Sequence, residues 1–202
     1  MLDGIMRRII DPPLLEMGRA LARRGVTADA VTLLGLACGV GCAAAIWLRL
    51  DLLALVLLGL GRFCDGLDGA IAEARRRTDR GGFLDIVCDF AFYGAVPLAF
   101  ALRDPALNAL PAAVLLASFY LNGATFLAYA ALAAKRGLET TSRGHKSLYF
   151  TAGLAEGSET ILVFVAMLLA PDWFCVLAYA FAPLVLATAI SRSLIAWATF
   201  RD

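Results

Sequence analysis

The chain has 202 residues, of which 61% are hydrophobic and 17% charged, and its formal net charge is +1. A soluble protein of this length needs more polar surface than that, because even a good core leaves much side-chain area facing water. The near-neutral charge and the lack of an aromatic-basic platform argue against a nucleic-acid partner.

Residues 1–24 hold Arg7-Arg8, Asp11-Pro12-Pro13 and then Arg19 to Arg24 ahead of the first long apolar run, an order foreign to a signal peptide. Leu14, Leu15, Met17, Gly18, Leu21 and Ala22 recur at helical spacing, with Arg19, Arg23 and Arg24 on the other side. The pattern predicts an amphipathic helix within residues 1–27, lying in the membrane interface and attracted to anionic lipid. The plainer alternative is a topology anchor.

The rest of the chain is organised in apolar blocks. About 20 apolar residues cross the hydrocarbon region at about 1.5 Å each, and six spans fit, at about residues 28–48, 51–72, 82–103, 107–133, 149–170 and 173–199. The third and fifth carry Asp85, Asp89, Glu156 and Glu159. Short connections near 49–50, 104–106 and 171–172, with breaks such as Asp104-Pro105 and Pro171-Asp172, predict tight hairpins. Continuous apolar blocks, where barrel strands would alternate, exclude a β-barrel. The fold class is therefore all-α, a polytopic membrane protein.

Basic residues give the orientation. Arg7, Arg8, Arg19, Arg23 and Arg24 precede the first span, Arg75, Arg76, Arg77 and Arg80 follow the second, and Lys135, Arg136, Arg143 and Lys146 follow the fourth. With Arg201 they share one side, against Arg49 and Arg103 on the other. This bias predicts cytoplasmic termini and cytoplasmic basic loops. Cys38, Cys42, Cys64, Cys88 and Cys175 show neither a disulfide framework nor zinc spacing and read as packing residues.

The chemistry concentrates between Arg62 and Phe90. Asp65 and Asp68 share one helical face, and Asp85 and Asp89 share one on the next helix. A short turn makes those helices antiparallel neighbours, so four carboxylates converge. Bare carboxylates at this depth would be costly, and divalent cations resolve the conflict. Oxygen donors suit Mg²⁺, Mn²⁺ or Ca²⁺, and two ions about 4 Å apart would clamp a diphosphate. Gly69 and Gly81 bare the backbone to a nucleotide or phosphate, or, like Gly66 and Gly82, serve close helix packing.

This segment resembles the signature of the CDP-alcohol phosphatidyltransferases, D-x2-D-G-x2-A-R-x8-G-x3-D-x3-D, through Asp65, Asp68, Gly69, Ala72, Gly81, Asp85 and Asp89. Gly25-Val26-Thr27 and Val31-Thr32-Leu33-Leu34-Gly35-Leu36 resemble the entry to that family's first span. The resemblance implies a single membrane domain over 1–202, a homodimer, and a prokaryotic inner-membrane enzyme with a cytoplasmic active site. It implies transfer of a substituted phosphoryl group from a CDP-linked lipid to an acceptor alcohol, with CMP leaving. Asp65, Asp68, Asp85 and Asp89 would bind two Mg²⁺ or Mn²⁺ ions, Asp89 would be the catalytic base, and Gly69, Ala72 and Gly81 would face the nucleotide.

Two departures stand out. Glu73 occupies the place of the family's Arg after Ala72, and the stretch to Gly81 is one residue short. Helical projection at about 100° per residue brings Arg75 and Arg76 near the face of Asp65 and Asp68, as replacements for the nucleotide contact. Altered substrate preference or lost activity are the competing consequences.

A second polar cluster comprises Arg143, His145 and Lys146 before the fifth span, and Glu156 and Glu159 within it. Arg143 and Lys146 suit an anionic headgroup or an acceptor phosphate. The two glutamates need partners, for which Arg192 and Arg62 are candidates, or else select the acceptor alcohol. Tyr120, Asn122 and Thr125 are weaker cavity candidates. A divalent-cation or proton-coupled transporter is the rival class, but its expected dispersed polar groups and inverted repeat are not evident.

Overall fold

Several helix ends fall where the chain supplies a cap. The computed structural model describes residues 3–137 and 157–200, with α1 Asp3–Arg23, α2 Ala28–Trp47, α3 Asp51–Ala74, α4 Asp79–Arg103, α5 Pro105–Lys135, α6 Gly157–Leu169 and α7 Phe174–Thr199. A single 3₁₀ turn at Pro171–Trp173 precedes α7. Gly25, at φ 90°, closes α1: its N–H bonds Ala22 O at 3.1 Å and that of Val26 bonds Leu21 O at 3.1 Å, which satisfies carbonyls the helix end leaves open. Thr27 caps α2 by accepting from Ala30 N–H, Thr78 caps α4 through Gly81 N–H, and Asp104 caps α5 through Leu107 N–H, with Pro105 following at the first helical position. The expected hairpins at 49–50 and 104–106 are present.

The described residues are 91% helical and contain no strand. Among the described residues four stretches are long and apolar enough to cross a membrane: α2, α4, α5 and Pro171–Thr199, which includes α7. α3 has the length, at 24 residues, but carries Asp51, Arg62, Asp65, Asp68 and Glu73. The described part of α6 has 13 residues, about 20 Å of helix.

α2 organises the carboxylate-bearing helices. Its Gly35 lies against Gly61 and Cys64 of α3, and its Gly39 lies against Phe92 of α4. This G-x3-G pair lets both helices approach one backbone closely. The main core lies toward the other end, with Ile46, Phe100, Leu115, Phe164, Met167, Phe174 and Val185 at most 1% exposed. Phe100 and Phe174 stack there at 4.4 Å.

α1 is a helix, as the spacing predicts, yet much of its apolar stripe meets protein. Leu14, Leu21 and Ala22 pack on the cluster of Val31, Cys64, Leu67 and Ile71, and Gly18 fits so closely that a Cβ would lie 2.7 Å from that of Ala70. Met17 stays exposed. The periodicity located the apolar face but could not distinguish a lipid partner from α3.

Candidate active site and metal centre

The turn between α3 and α4 does not bring these helices face to face. Both pack mainly on α2, and a narrow cleft between them is lined by Thr32, Gly35 and Leu36 from α2, Gly61, Arg62, Asp65 and Asp68 from α3, and Cys88, Asp89 and Phe92 from α4. Direct antiparallel packing of α3 on α4, expected from the short connection, is thus corrected. The reason is local: Arg75 leaves the helix at φ −105°, ψ −85°, and Thr78 is extended. Those residues bridge a gap that a tight hairpin would close.

Carboxylates meet across the cleft. Asp65, Asp85 and Asp89 each present an oxygen, and these oxygens lie within 4.8 Å of one another. Asp68 is 5% exposed and accepts a hydrogen bond of 2.5 Å from Thr32 Oγ1. That hydroxyl also lies 3.1 Å from Ala28 O, but its single proton favours the nearer, charged acceptor. Arg62 enters the same group. Its Nη1 lies 2.9 Å from Asp89 Oδ1 and 3.6 Å from Asp65 Oδ2, and its guanidinium carbon lies 4.4 Å from the centre of the Phe92 ring.

The donor set suits a hard divalent cation. All the converging atoms are carboxylate oxygens, and their crowding in an apolar helix bundle is stabilised by positive charge. Cys88, which also lines the cleft, is buried; the oxygen donors alone match Mg²⁺ or Mn²⁺.

The neighbouring predictions fare differently. A Cβ at Gly69 would meet nothing within 4 Å, so this backbone is open to an approaching group. At Gly81 a Cβ would lie 3.1 Å from Thr78 Oγ1 and 3.5 Å from Asp29 Oδ1, so the glycine accommodates the α4 cap. Ala72 is half-buried on α3. Projection of α3 onward to Arg75 and Arg76 is corrected, because the helix ends at Ala74. Arg75 instead donates to Ala22 O at 2.8 Å, the carbonyl at the end of α1 that also accepts from Gly25 N–H. Arg76 is exposed, and Glu73 pairs with Arg77 at 3.1 Å. Arg143, His145, Lys146 and Glu156 lie outside the described residues. Glu159 stands half-buried in the first turn of α6. Arg192 donates to Asn122 Oδ1 at 2.9 Å and to Asn122 O at 3.1 Å, with Thr125 Oγ1 at 3.5 Å, whereas Tyr120 is 80% exposed.

Sequence reasoning missed Thr32 and Arg62 as members of the site. Arg62 had a signal, since it stands three residues before Asp65 on the same helical face. Thr32 had only its place in the resemblance, because its partner is 36 residues away.

Comparison with known proteins sets this geometry in a wider frame. The sequence model of the CDP-alcohol phosphatidyltransferase family matches residues 25–191. Inner membrane protein YnjF of Escherichia coli is 45% identical over 192 residues, which cover 95% of this chain and 93% of that protein. An archaetidylinositol phosphate synthase of Pyrococcus horikoshii is 34% identical over 85 residues, 42% of this chain and 45% of the other. The crystal structure of Mycobacterium tuberculosis phosphatidylinositol phosphate synthase (PgsA1) with CDP-DAG bound shares the fold at TM-score 0.72 and 22% identity, covering 91% of this chain and 93% of that one. A second structure of that synthase, in complex with manganese and citrate, gives TM-score 0.70 at 24% identity, with 91% and 88% covered.

Proposed function

Because the chain belongs to the CDP-alcohol phosphatidyltransferase family, we propose that it is a metal-dependent enzyme of phospholipid synthesis, moving a phosphatidyl-type group from a CDP-linked lipid to an acceptor alcohol. The observation that carries this reading is the convergence of the Asp65, Asp85 and Asp89 oxygens within 4.8 Å. The CDP-DAG-bound and manganese-bound states of the M. tuberculosis synthase support CDP-diacylglycerol as donor and Mg²⁺ or Mn²⁺ as cofactor. A phosphorylated polyol is the favoured acceptor, since the named synthases make inositol phosphate lipids and the sequence ahead of α6 contains Arg143 and Lys146.

Asp65, Asp68, Asp85 and Asp89 would hold the cations, two per site. When bound, they would neutralise the donor diphosphate and the charge that develops as phosphorus changes partners. The chain's own groups do the remainder. Thr32 fixes the Asp68 carboxylate, and Gly69 admits the nucleotide next to the backbone. Ala72 completes the nucleotide side, with Arg75 reassigned to joining α1 and α3. Arg62 engages Oδ1 of Asp89, and Oδ2 is the oxygen that would take the acceptor's hydroxyl proton. The acceptor oxygen then attacks the phosphorus bearing the lipid, the bond to CMP breaks, and CMP leaves. A base on the α4 side of the cleft and an open backbone next to Asp68 on α3 suit alignment of acceptor and donor.

The same reading extends to placement. A single domain over 1–202 with six spans, α3 and α6 joining the four long apolar stretches, puts both termini and the aspartate end on the cytoplasmic side of a prokaryotic inner membrane. The basic bias supports that orientation, and the E. coli inner-membrane relative supports the compartment. α1 would lie at the interface with its arginines toward lipid headgroups and Leu14 and Leu21 on α3. The homodimer is carried over from the family resemblance.

The test is CMP release by purified protein with CDP-diacylglycerol, Mg²⁺ or Mn²⁺, and acceptor alcohols supplied one at a time. Acceptor-dependent release that disappears with chelator and with Asp89→Asn is expected. A folded, cation-loaded protein silent toward every acceptor would sink the assignment for that donor and make Glu73 the first suspect.

A further inference from the structure

Arg62 lies outside the family signature, three residues before its first aspartate, yet contacts two of the converging carboxylates. It touches Asp89 at 2.9 Å and Asp65 at 3.6 Å, two of the three residues whose oxygens converge. A cation held by those oxygens therefore shares two of its carboxylates with a guanidinium that carries the same sign of charge.

The way Arg62 is held matters. Its guanidinium lies over Phe92 at 4.4 Å and beside Tyr93 at 5.8 Å, while its Nε is buried without a hydrogen-bond partner among the described residues. An arginine held by several N–H bonds is locked in place. One held through Nη1 and a ring face, with Nε unsatisfied, yields a carboxylate more readily to a stronger cation.

We infer that Arg62 is a resident counter-cation of the site, competing with the divalent cation for Asp89 and Asp65 and so setting how tightly the metal is held. With the metal absent, the guanidinium keeps the converging carboxylates compact. With the metal bound, its positive charge weakens metal affinity and so favours an exchangeable ion. Like charges within a few ångströms repel strongly at the effective dielectric of a protein interior, so removing the guanidinium charge must tighten metal binding. This inference rests on reading the aspartates as a cation site, and the two fail separately in the following experiment.

The purified full chain in detergent is titrated with Mn²⁺ without substrate, and free Mn²⁺ is followed by electron paramagnetic resonance. Arg62→Gln is expected to lower the Kd for Mn²⁺ by about tenfold or more, and Arg62→Lys, which keeps the charge, to stay within about threefold of the parent. Arg62→Met, which retains an apolar stem over Phe92, replaces the glutamine variant should that one not fold. Unchanged or weaker Mn²⁺ binding in a folded, charge-removing variant overturns the inference, as does equal tightening in Arg62→Lys. Parent protein that binds no Mn²⁺, or binds it equally well after Asp85→Asn, would instead refute the cation site itself.

Discussion

The two ends of the α3–α4 pair handle charge in opposite ways. At one end Asp51, the first residue of α3, pairs with Arg103, the last of α4: Nη2 lies 3.1 Å from Oδ2, and Nη1 meets Oδ1. Arg49, in the left-handed conformation at φ 61°, adds a bond from its Nη2 to Arg103 O at 3.1 Å. Asp51 and Arg103 form a matched pair there, and the geometry ties the α2–α3 turn to the end of α4. About 20 Å away along α3, oxygens of Asp65, Asp85 and Asp89 lie within 4.8 Å of one another, with the Arg62 guanidinium against Asp89 and Asp65. A matched pair is what structure requires. Converging carboxylate oxygens are costly in an apolar bundle, and they form the donor set of a hard divalent cation.

Substitutions at four positions put that contrast under test. Asp89→Asn preserves shape and removes the base, and should lower acceptor-dependent CMP release by about 10²- to 10⁴-fold with little change in thermal unfolding. Stability lost in step with activity would mean that Asp89 serves the fold, as Asp51 does. Arg103→Met leaves Asp51 partnerless and should destabilise by about 3 kcal/mol, a discounted value because Asp51 keeps 30% exposure. The double variant Asp51→Leu/Arg103→Met should recover most of this, with kcat unchanged throughout. Thr32→Val should reduce kcat/KM by about 10- to 100-fold, matching about 1.5–3 kcal/mol for a hydrogen bond to a charged group. Thr32→Ser restores it if the hydroxyl is what counts, and failure of that rescue would assign Thr32 to packing.

How far these features can be read from the chain follows from their range. Apolar blocks and breaks fix the helices, so Thr27 and Asp104-Pro105 mark starts within two residues of the sequence-based boundaries, whereas the Thr78 cap starts α4 three residues ahead of the expected 82. The aspartates are legible because three- and four-residue spacings put each pair on one helical face. What joins the pairs is not local. The Thr32–Asp68 bond spans 36 positions and Arg62–Asp89 spans 27, distances over which helical periodicity says nothing. Gly35 and Gly39 form a visible G-x3-G signal, yet only the packed helices reveal that one glycine serves α3 and the other α4. Arg75 misled for the opposite reason: the projection assumed a helix that stops one residue earlier.

The smallest expected effect separates two uses of glycine on and against α3. Gly18, on α1, is required by packing, since a Cβ would fall 2.7 Å from Ala70 Cβ and 2.8 Å from its carbonyl carbon. Gly69, beside Asp68, has open space where a Cβ would go. In a helix interior alanine is more favourable than glycine by about 1 kcal/mol, so stability alone argues against glycine at this position. Gly69→Ala should therefore leave folding intact or raise stability by up to about 1 kcal/mol. If the nucleotide approaches the backbone here, the same change should raise KM for the CDP-linked donor several-fold and leave KM for the acceptor alone. An unchanged donor KM would remove Gly69 from the nucleotide side. A matching rise for the acceptor would place both substrates against the same turn of α3, and the division of the cleft into donor and acceptor walls would have to be redrawn.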